Sequence, residues 1–374
     1  MKKIFVITGE HSGDIHASNL VKHLKELYSD VQIEGIGGNG LKSEGVKLFS
    51  DHSKMSAMGF SPAILFNHLT LGKRVVDYIQ NVFKPDLVIL VDYGAFNLNI
   101  SKFLKKKNIK MYYYIPPQVW ASRKWRINVI KKNIDKVLCI FPFEEKMYKE
   151  HGINTHYCGH PLISQLPEKA DKKEFFEKHG FDMNKKLVSI FPGSRVFELK
   201  NLMKVFLKSA KLLKKNHPDL QFCVSHAPNL EDKVFDKYLK ENDIKVLKGE
   251  NQALLSVSDA LILASGTVAL EAALYETPMV IAYKGPSILY FIYLLVRCIK
   301  NVSLPNIITG KDIVTELIQY KLNSESVAYE IEKLLYDKDL RTKKIKELKG
   351  VRNLLSDKIS AKEAASAVYE FINN

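Results

Sequence analysis

Cysteine is scarce in this chain. Cys139, Cys158, Cys223 and Cys298 are scattered through 374 residues with no C-x-x-C pair. That excludes a disulfide framework and fits a reducing compartment. Long apolar runs are missing too. The longest candidate, Pro286 to Val296, is bracketed by Lys284 and Arg297 and has about half of the ~20 residues a membrane-spanning helix needs. The stretch Ile4-Phe5-Val6-Ile7 is too short for a signal peptide core and runs straight into Gly9-Glu10. Sequence repeats and low-complexity tracts are absent. Acidic residues are in deficit, 41 Asp+Glu against 56 Lys+Arg, for a net charge of +15. Such a surface attracts polyanions. No zinc-finger, RNA-recognition or helix-turn-helix signature turns that charge into nucleic-acid reading. An anionic membrane, or a plain solvated basic face, remains.

What is present is ordinary for a globular protein: 46% apolar and 26% charged residues. The length suits two or three domains. Short runs that are apolar on both faces recur at Ile4–Thr8, Leu87–Val91, Met111–Ile115 and Val137–Ile140. Helical patterns such as Ala17–Leu27 and Gly72–Val82 lie between them. That alternation predicts a parallel sheet covered by helices. It breaks at Gly159 to Lys173 and restarts with Leu187–Phe191, Gln221–Val224, Lys245–Leu247, Ala260–Ala264 and Met279–Ala282. The expected fold is α/β, with two doubly wound Rossmann-like domains, 1–165 and 166–350, facing a central cleft. Residues 351–374 are expected to pack as a helix on either domain or on a partner protomer. Ligands of such sheets bind beyond the carboxyl ends of the strands.

Several motifs fall at such ends. Gly9-Glu10-His11-Ser12-Gly13-Asp14 follows the first strand and opens the first helix, as a ligand-facing loop or as an ordinary turn with Asp14 complementing the helix dipole. Gly35 to Gly40 matches G-x-G-x-x-G, yet it follows the second strand and Gly45 breaks what comes next. It reads as a glycine loop lining the cleft, not a dinucleotide site. Asp92 ends the buried run Leu87–Val91. A carboxylate there is well placed as a general base, and a turn residue is the plainer alternative. Pro192-Gly193-Ser194-Arg195 follows another buried run and has the make-up of a phosphate clamp: a close backbone approach at Gly193 and a fork of donors on Arg195. Pairing of Arg195 with Glu198 is the structural alternative. Ala260–Ala264 leads into Ser265-Gly266-Thr267 and a helix carrying Glu271. Unpaired N–H groups and the positive helix end suit a phosphate there, and Glu271 a ribose.

His156, Cys158 and His160 alternate along one strand face but lack a fourth ligand, and Gly159-His160-Pro161 reads as a hinge. No metal is expected. Two stretches, Ala57 to Ile79 with Met58, Phe60, Leu65, Phe66 and Leu69, and Ile288 to Val296, are apolar with basic edges. Buried core is the usual reading of either. Together in a basic chain they suit a membrane or lipid contact.

The ordered set Gly9-Glu10-x-Ser12-Gly13-Asp14, Met58-Gly59, Pro85-Asp86 with Asp92, Pro117-x-Val119-Trp120-Ala121, Gly159-His160-Pro161, Pro192-Gly193-Ser194-Arg195, Ser265-Gly266-Thr267 with Glu271, and Ser303-Leu304-Pro305-Asn306 resembles lipid-A-disaccharide synthase over residues 3 to about 370. The family has the two-Rossmann-domain glycosyltransferase fold (GT-B). The resemblance implies transfer of 2,3-diacylglucosamine from UDP-2,3-diacylglucosamine to 2,3-diacylglucosamine 1-phosphate (lipid X), giving a β(1→6) disaccharide 1-phosphate and UDP. It implies inversion, no metal or other cofactor, a cytoplasmic enzyme attached peripherally to the inner face of the inner membrane, and in some members a homodimer that exchanges C-terminal segments. On this chain Asp92 and Arg195 would be catalytic. Gly193, Ser194, Arg195, Ser265, Gly266, Thr267, Glu271, Asn306 and Gln319 would bind the donor. Glu10, Ser12, Gly13, Asp14 and Gln118 would line the acceptor side, and Met58, Phe60, Leu65, Phe66 and Leu69 the acyl chains. The acceptor loop reads Asp92-Tyr93-Gly94-Ala95-Phe96-Asn97, where the family often has proline and a second aspartate. The competing readings are a UDP-N-acetylglucosamine 2-epimerase, the transferase of lipid-linked peptidoglycan precursor, and a non-catalytic nucleotide- or lipid-binding protein.

Overall fold

A computed structural model describes residues 2–28, 30–51, 62–239, 244–286 and 298–373, with backbone alone for 62–69 and 239. The chain forms two compact units, Met1–Ser164 with Leu355–Asn374, and Gln165–Leu354.

The first unit is built on seven parallel strands: β1 (Lys2–Ile7), β2 (Val31–Gly37), β3 (Lys47–Asp51), β4 (Leu87–Val91), β5 (Met111–Tyr114), β6 (Lys136–Cys139) and β7 (Thr155–Tyr157). Their order across the sheet is β3-β2-β1-β4-β5-β6-β7. The second unit repeats the plan with β8 (Lys186–Phe191), β9 (Leu220–His226), β10 (Lys245–Lys248), β11 (Ala260–Ala264), β12 (Met279–Tyr283) and β13 (Thr315–Ile318), ordered β10-β9-β8-β11-β12-β13. All registered pairs are parallel. The central strands are short, branched and apolar because helices cover both faces. Every residue of β4 and of β11 is buried. In each sheet the order turns back between the first strand and the fourth, at β1/β4 and at β8/β11. Loops diverge at such a switch point and leave a crevice beyond the strand ends.

The long helix Val196–Asn216 shows how the layers are held. Leu199, Leu202, Met203, Phe206, Ala210 and Leu213 repeat at helical spacing and are buried against the second sheet. Each such leucine or phenylalanine contributes roughly 1.5–3 kcal/mol. The last helix, Ser360–Asn373, returns to the first unit. There Tyr28 Oη donates to the Tyr369 carbonyl at 3.2 Å, Lys2 Nζ donates to Ile372 at 2.9 Å, and Tyr114 Oη lies 2.8 Å from Ser360 Oγ.

Candidate functional site

In the first unit the end of β4 is unusual. Asp92 and Tyr93 both take left-handed backbone angles, φ 49° and 51°. Non-glycine residues rarely do so, at a cost of order 1–3 kcal/mol each, unless the surroundings over-determine them. Here they do. The Asp92 N–H donates to Tyr114 at 3.1 Å, and the Asp92 carbonyl accepts from Tyr113 Oη at 2.9 Å and Asn97 Nδ2 at 2.8 Å. Asn97, buried at the start of the next helix, also reaches the Val91 carbonyl at 3.3 Å. The carboxylate of Asp92 is half-buried and has no hydrogen-bond or ion-pair partner among the described residues. A fixed backbone thus presents an unpaired acid at the switch point.

The loop after β1 packs beside it. A Cβ on Gly9 would lie 2.2 Å from the Tyr93 ring. One on Gly13 would lie 2.2 Å from Thr8 Oγ1 and 3.5 Å from Asp92 Cβ. Burial, then the charge of Glu10, pushes the Tyr93 phenol up to about 12. Glu10 and Ser12 are exposed at the helix start, and Gln118 is exposed beyond β5. His16, one helical turn beyond Gly13, lies within the field of Asp92. Burial lowers its proton affinity and Asp92 opposes that. His160 is buried and its imidazole is held down to about 3 by burial and then by His16.

Asp14 departs from its expected place on the acceptor side. Its carboxylate is 2% exposed and accepts the N–H groups of Gly38 and Gly40 at 2.7 Å each and of Leu41 at 3.2 Å. It therefore fills the anion position at the start of the helix Asn39–Ser43. The G-x-G-x-x-G stretch serves an internal carboxylate, and no phosphate fits there.

The second unit has a cavity of about 390 Å³ beyond the ends of β8 and β11, within the range of small-ligand sites. Gly193, Ser194, Arg195, Ser265, Gly266 and Thr267 line it together. At the β8 end Gly193 has φ 105°, and the N–H groups of Ser194 and Arg195 donate to Glu198 Oε2 at 2.8 and 3.2 Å. Glu198 thus caps the helix Val196–Asn216 from within. Its other oxygen is 3.7 Å from Arg195 Nη1, and the arginine side chain is 81% exposed. At the β11 end Ser265 N–H donates to Ala282 at 2.9 Å, whereas the N–H groups of Gly266 and Thr267 have no partner among the described residues. A Cβ on Gly266 would meet open space. The free donors for an anion therefore lie at Gly266 and Thr267.

Three expected donor residues do not line this cavity. Glu271 lies one turn into the helix Val268–Leu274, half-buried, with burial raising its carboxyl. Asn306 is 1% exposed and committed internally: Nδ2 donates to Val314 at 3.0 Å and to Glu316 Oε1 at 2.9 Å, and Oδ1 accepts from Val314 at 2.9 Å. Gln319 Nε2 donates to the Gly285 carbonyl at 3.1 Å. The Ser303-Leu304-Pro305-Asn306 segment is held by Glu316, which also accepts from Ser303 Oγ at 2.6 Å. Ser225 and Asn251 line the cavity and were not expected. Ser225 Oγ donates to Asn251 Oδ1 at 2.5 Å. The end of β9 was the available signal for the first of them. No group of three His, Cys, Asp or Glu side chains among the described residues could hold a metal ion. Met58 and Phe60, the side chains of Leu65, Phe66 and Leu69, and 288–296 lie outside the described residues.

The model of the lipid-A-disaccharide synthetase family matches residues 4–371. The chain belongs to the lipid-A-disaccharide synthetase family. A lipid-A-disaccharide synthase 1 from Legionella pneumophila subsp. pneumophila is 36% identical, covering 95% of this chain and 93% of that one. A lipid-A-disaccharide synthase from Syntrophus aciditrophicus is 34% identical, covering 97% and 96%. The family makes this chain an enzyme, a glycosyltransferase of lipid A biosynthesis, and sets aside the epimerase and binding-protein readings. Among solved structures, the UDP-GlcNAc 2-epimerase from Neisseria meningitidis bound to UDP-GlcNAc has a TM-score of 0.65 at 14% identity over 100% of both chains. The S. aureus MnaA–UDP structure has 0.67 at 15%, covering 100% and 97%. At such identity the likeness shows the fold alone, that of two-Rossmann-domain (GT-B) glycosyltransferases. No helix among the described residues is long and apolar enough to cross a membrane.

Proposed function

We propose that the lipid-A-disaccharide synthase reaction runs on this chain by a single displacement, with Asp92 as general base. The unpaired carboxylate on a fixed left-handed backbone carries this reading. The acceptor is 2,3-diacylglucosamine 1-phosphate and the donor is UDP-2,3-diacylglucosamine. Asp92 takes the proton of the acceptor 6-hydroxyl as that oxygen attacks the anomeric carbon, and the bond from that carbon to UDP breaks. Attack opposite the leaving group inverts the configuration and gives the β(1→6) link. Charge grows on the departing diphosphate. The Gly266 and Thr267 N–H groups and the exposed fork of Arg195 meet it, the task a metal would otherwise have. The net charge of +15 supports peripheral attachment to an anionic membrane surface on its cytoplasmic side. In a homodimer, the segment to exchange is Leu355–Asn374.

The test is UDP release from UDP-2,3-diacylglucosamine with lipid X. Asp92→Asn should lower turnover about 100- to 10,000-fold and leave UDP affinity intact. Lost UDP affinity would move Asp92 to the donor, and full turnover would remove it from the mechanism.

A further inference from the structure

The turn after β5 carries an unneutralised pair of guanidinium groups. Arg123 has a left-handed backbone, φ 56°, and its carbonyl accepts the N–H of Arg126 at 2.9 Å. The turn thereby sets the two arginines side by side. Arg126 begins the helix Arg126–Asn133, whose first turn has no acidic residue. A cation at that end opposes the helix dipole. Neither guanidinium has a carboxylate or hydrogen-bond partner among the described residues, and that of Arg126 lies 5.8 Å from the centre of the Trp125 ring. Arg126 is half-buried. Burial first, and then the like charge of Arg123, lowers its proton affinity. Two adjacent cations and a positive helix end, with no counter-charge, form a local excess that an anion would relieve.

The position of this excess is specific. A Cβ on Gly94 would lie 2.8 Å from Pro117 and 3.6 Å from Arg126 Nη1. Gly94 is two residues from Asp92, and Tyr113, whose hydroxyl holds the Asp92 carbonyl at 2.9 Å, also acts on Arg126. Pro117 is what requires glycine at 94, and Arg126 Nη1 lies within van der Waals reach of the Asp92 loop.

We infer that Arg123 and Arg126 form a binding site for the phosphate monoester of the acceptor sugar. This rests on Asp92 acting at the acceptor. A planar fork matches phosphate oxygens in pairs. Holding the anomeric phosphate there turns the other end of the hexose, with its hydroxymethyl group, toward Asp92. The pair then selects phosphorylated acceptors and sets their orientation.

The experiment compares wild type, Arg126→Gln, Arg123→Gln and Arg126→Lys in neutral detergent micelles, with 2,3-diacylglucosamine carrying or lacking its 1-phosphate. Circular dichroism and UDP affinity check that each variant is folded. With the phosphorylated acceptor, kcat/KM of the glutamine variants should fall about tenfold to a hundredfold, mostly through KM, as loss of charge-assisted hydrogen bonds predicts. Arg126→Lys should recover part. With the acceptor lacking phosphate, variants and wild type should be equally poor. Equal loss on both acceptors would overturn the assignment. So would unchanged kinetics with weakened flotation on phosphatidylglycerol vesicles, which would give the pair to a lipid headgroup. Calorimetric binding of the phosphorylated acceptor to wild type and Arg126→Gln reads the site without turnover. A wild type that binds this acceptor through Arg126 without releasing UDP would refute the Asp92 mechanism and spare this site.

Discussion

Glu198 Oε2 accepts the backbone N–H of Ser194 at 2.8 Å. The chain's own carboxylate thus lines the cavity beyond β8 and β11, on N–H groups that a diphosphate would also seek. Gly193 is required by this arrangement, since a Cβ there would lie 2.1 Å from Glu198 Oε2. Glu198 has two opposed effects. It caps the helix and shapes the loop, and its charge repels an incoming diphosphate.

The two effects separate by substitution. Glu198→Gln keeps a carbonyl oxygen for the N–H groups and removes the charge. UDP should bind about threefold to tenfold tighter, with the gain shrinking in high salt. Glu198→Ala also removes the cap, at about 1 kcal/mol, and should melt a few degrees lower. Titration of UDP by calorimetry decides. Weaker binding to Glu198→Gln would mean that the carboxylate contacts the donor through a hydroxyl or amide instead of repelling it.

Strands buried on both faces were legible in the sequence. Ala260–Ala264 is found at its expected limits, because five apolar residues between turn signals leave no other face to choose. The edge strands β3, β7 and β13 were not. Lys47–Asp51 and Thr155–Tyr157 are short and half-polar, and only pairing with a neighbour makes them strands. The same limit applies to single side chains. Asp14 and Asn306 sit in motifs that suggest ligands. Their partners, Gly38 and Gly40 in one case and Glu316 in the other, are 24, 26 and 10 residues away. No local pattern announces that a carboxylate or amide is already occupied. Asp92 was legible as a strand-end acid. That it is unpaired and held by Asn97 and Tyr113 required the fold.

Glu144 provides a pH dependence. It is 1% exposed, accepts from Trp120 Nε1 at 2.8 Å and caps its own helix through the Phe141 N–H at 3.2 Å. Burial outweighs these bonds and pushes its carboxyl up to about 7. The folded state therefore holds a proton that the unfolded chain releases near the ordinary carboxylate value. Stability from this proton is complete below pH 4.5 and is lost as pH rises to about 7, a change on the order of 3 kcal/mol. Glu144→Gln cannot titrate. The stability of wild type relative to Glu144→Gln, from urea unfolding, should fall between pH 5 and 7.5 and level off above. His160, held down to about 3, destabilises the fold toward acid in both proteins and cancels in the difference. A flat difference would show that Glu144 is ionised throughout.

Asn306 separates a structural role from a binding one. Its side-chain bonds run to Val314 and Glu316, and it does not line the cavity beyond β8 and β11. Asn306→Ala leaves the Val314 N–H and carbonyl without that partner and removes one of the donors to Glu316. Such buried losses cost about 2–4 kcal/mol. Urea unfolding of Asn306→Ala should show that loss, while UDP affinity of the folded protein stays within about twofold of wild type. Glu316→Ala should behave alike, because the same carboxylate holds Val302, Ser303 and Asn306. The double variant should cost less than the two single losses added, as residues of one network do. A tenfold drop in UDP affinity with unchanged stability would return Asn306 to the donor site and assign its internal bonds to the unliganded state alone.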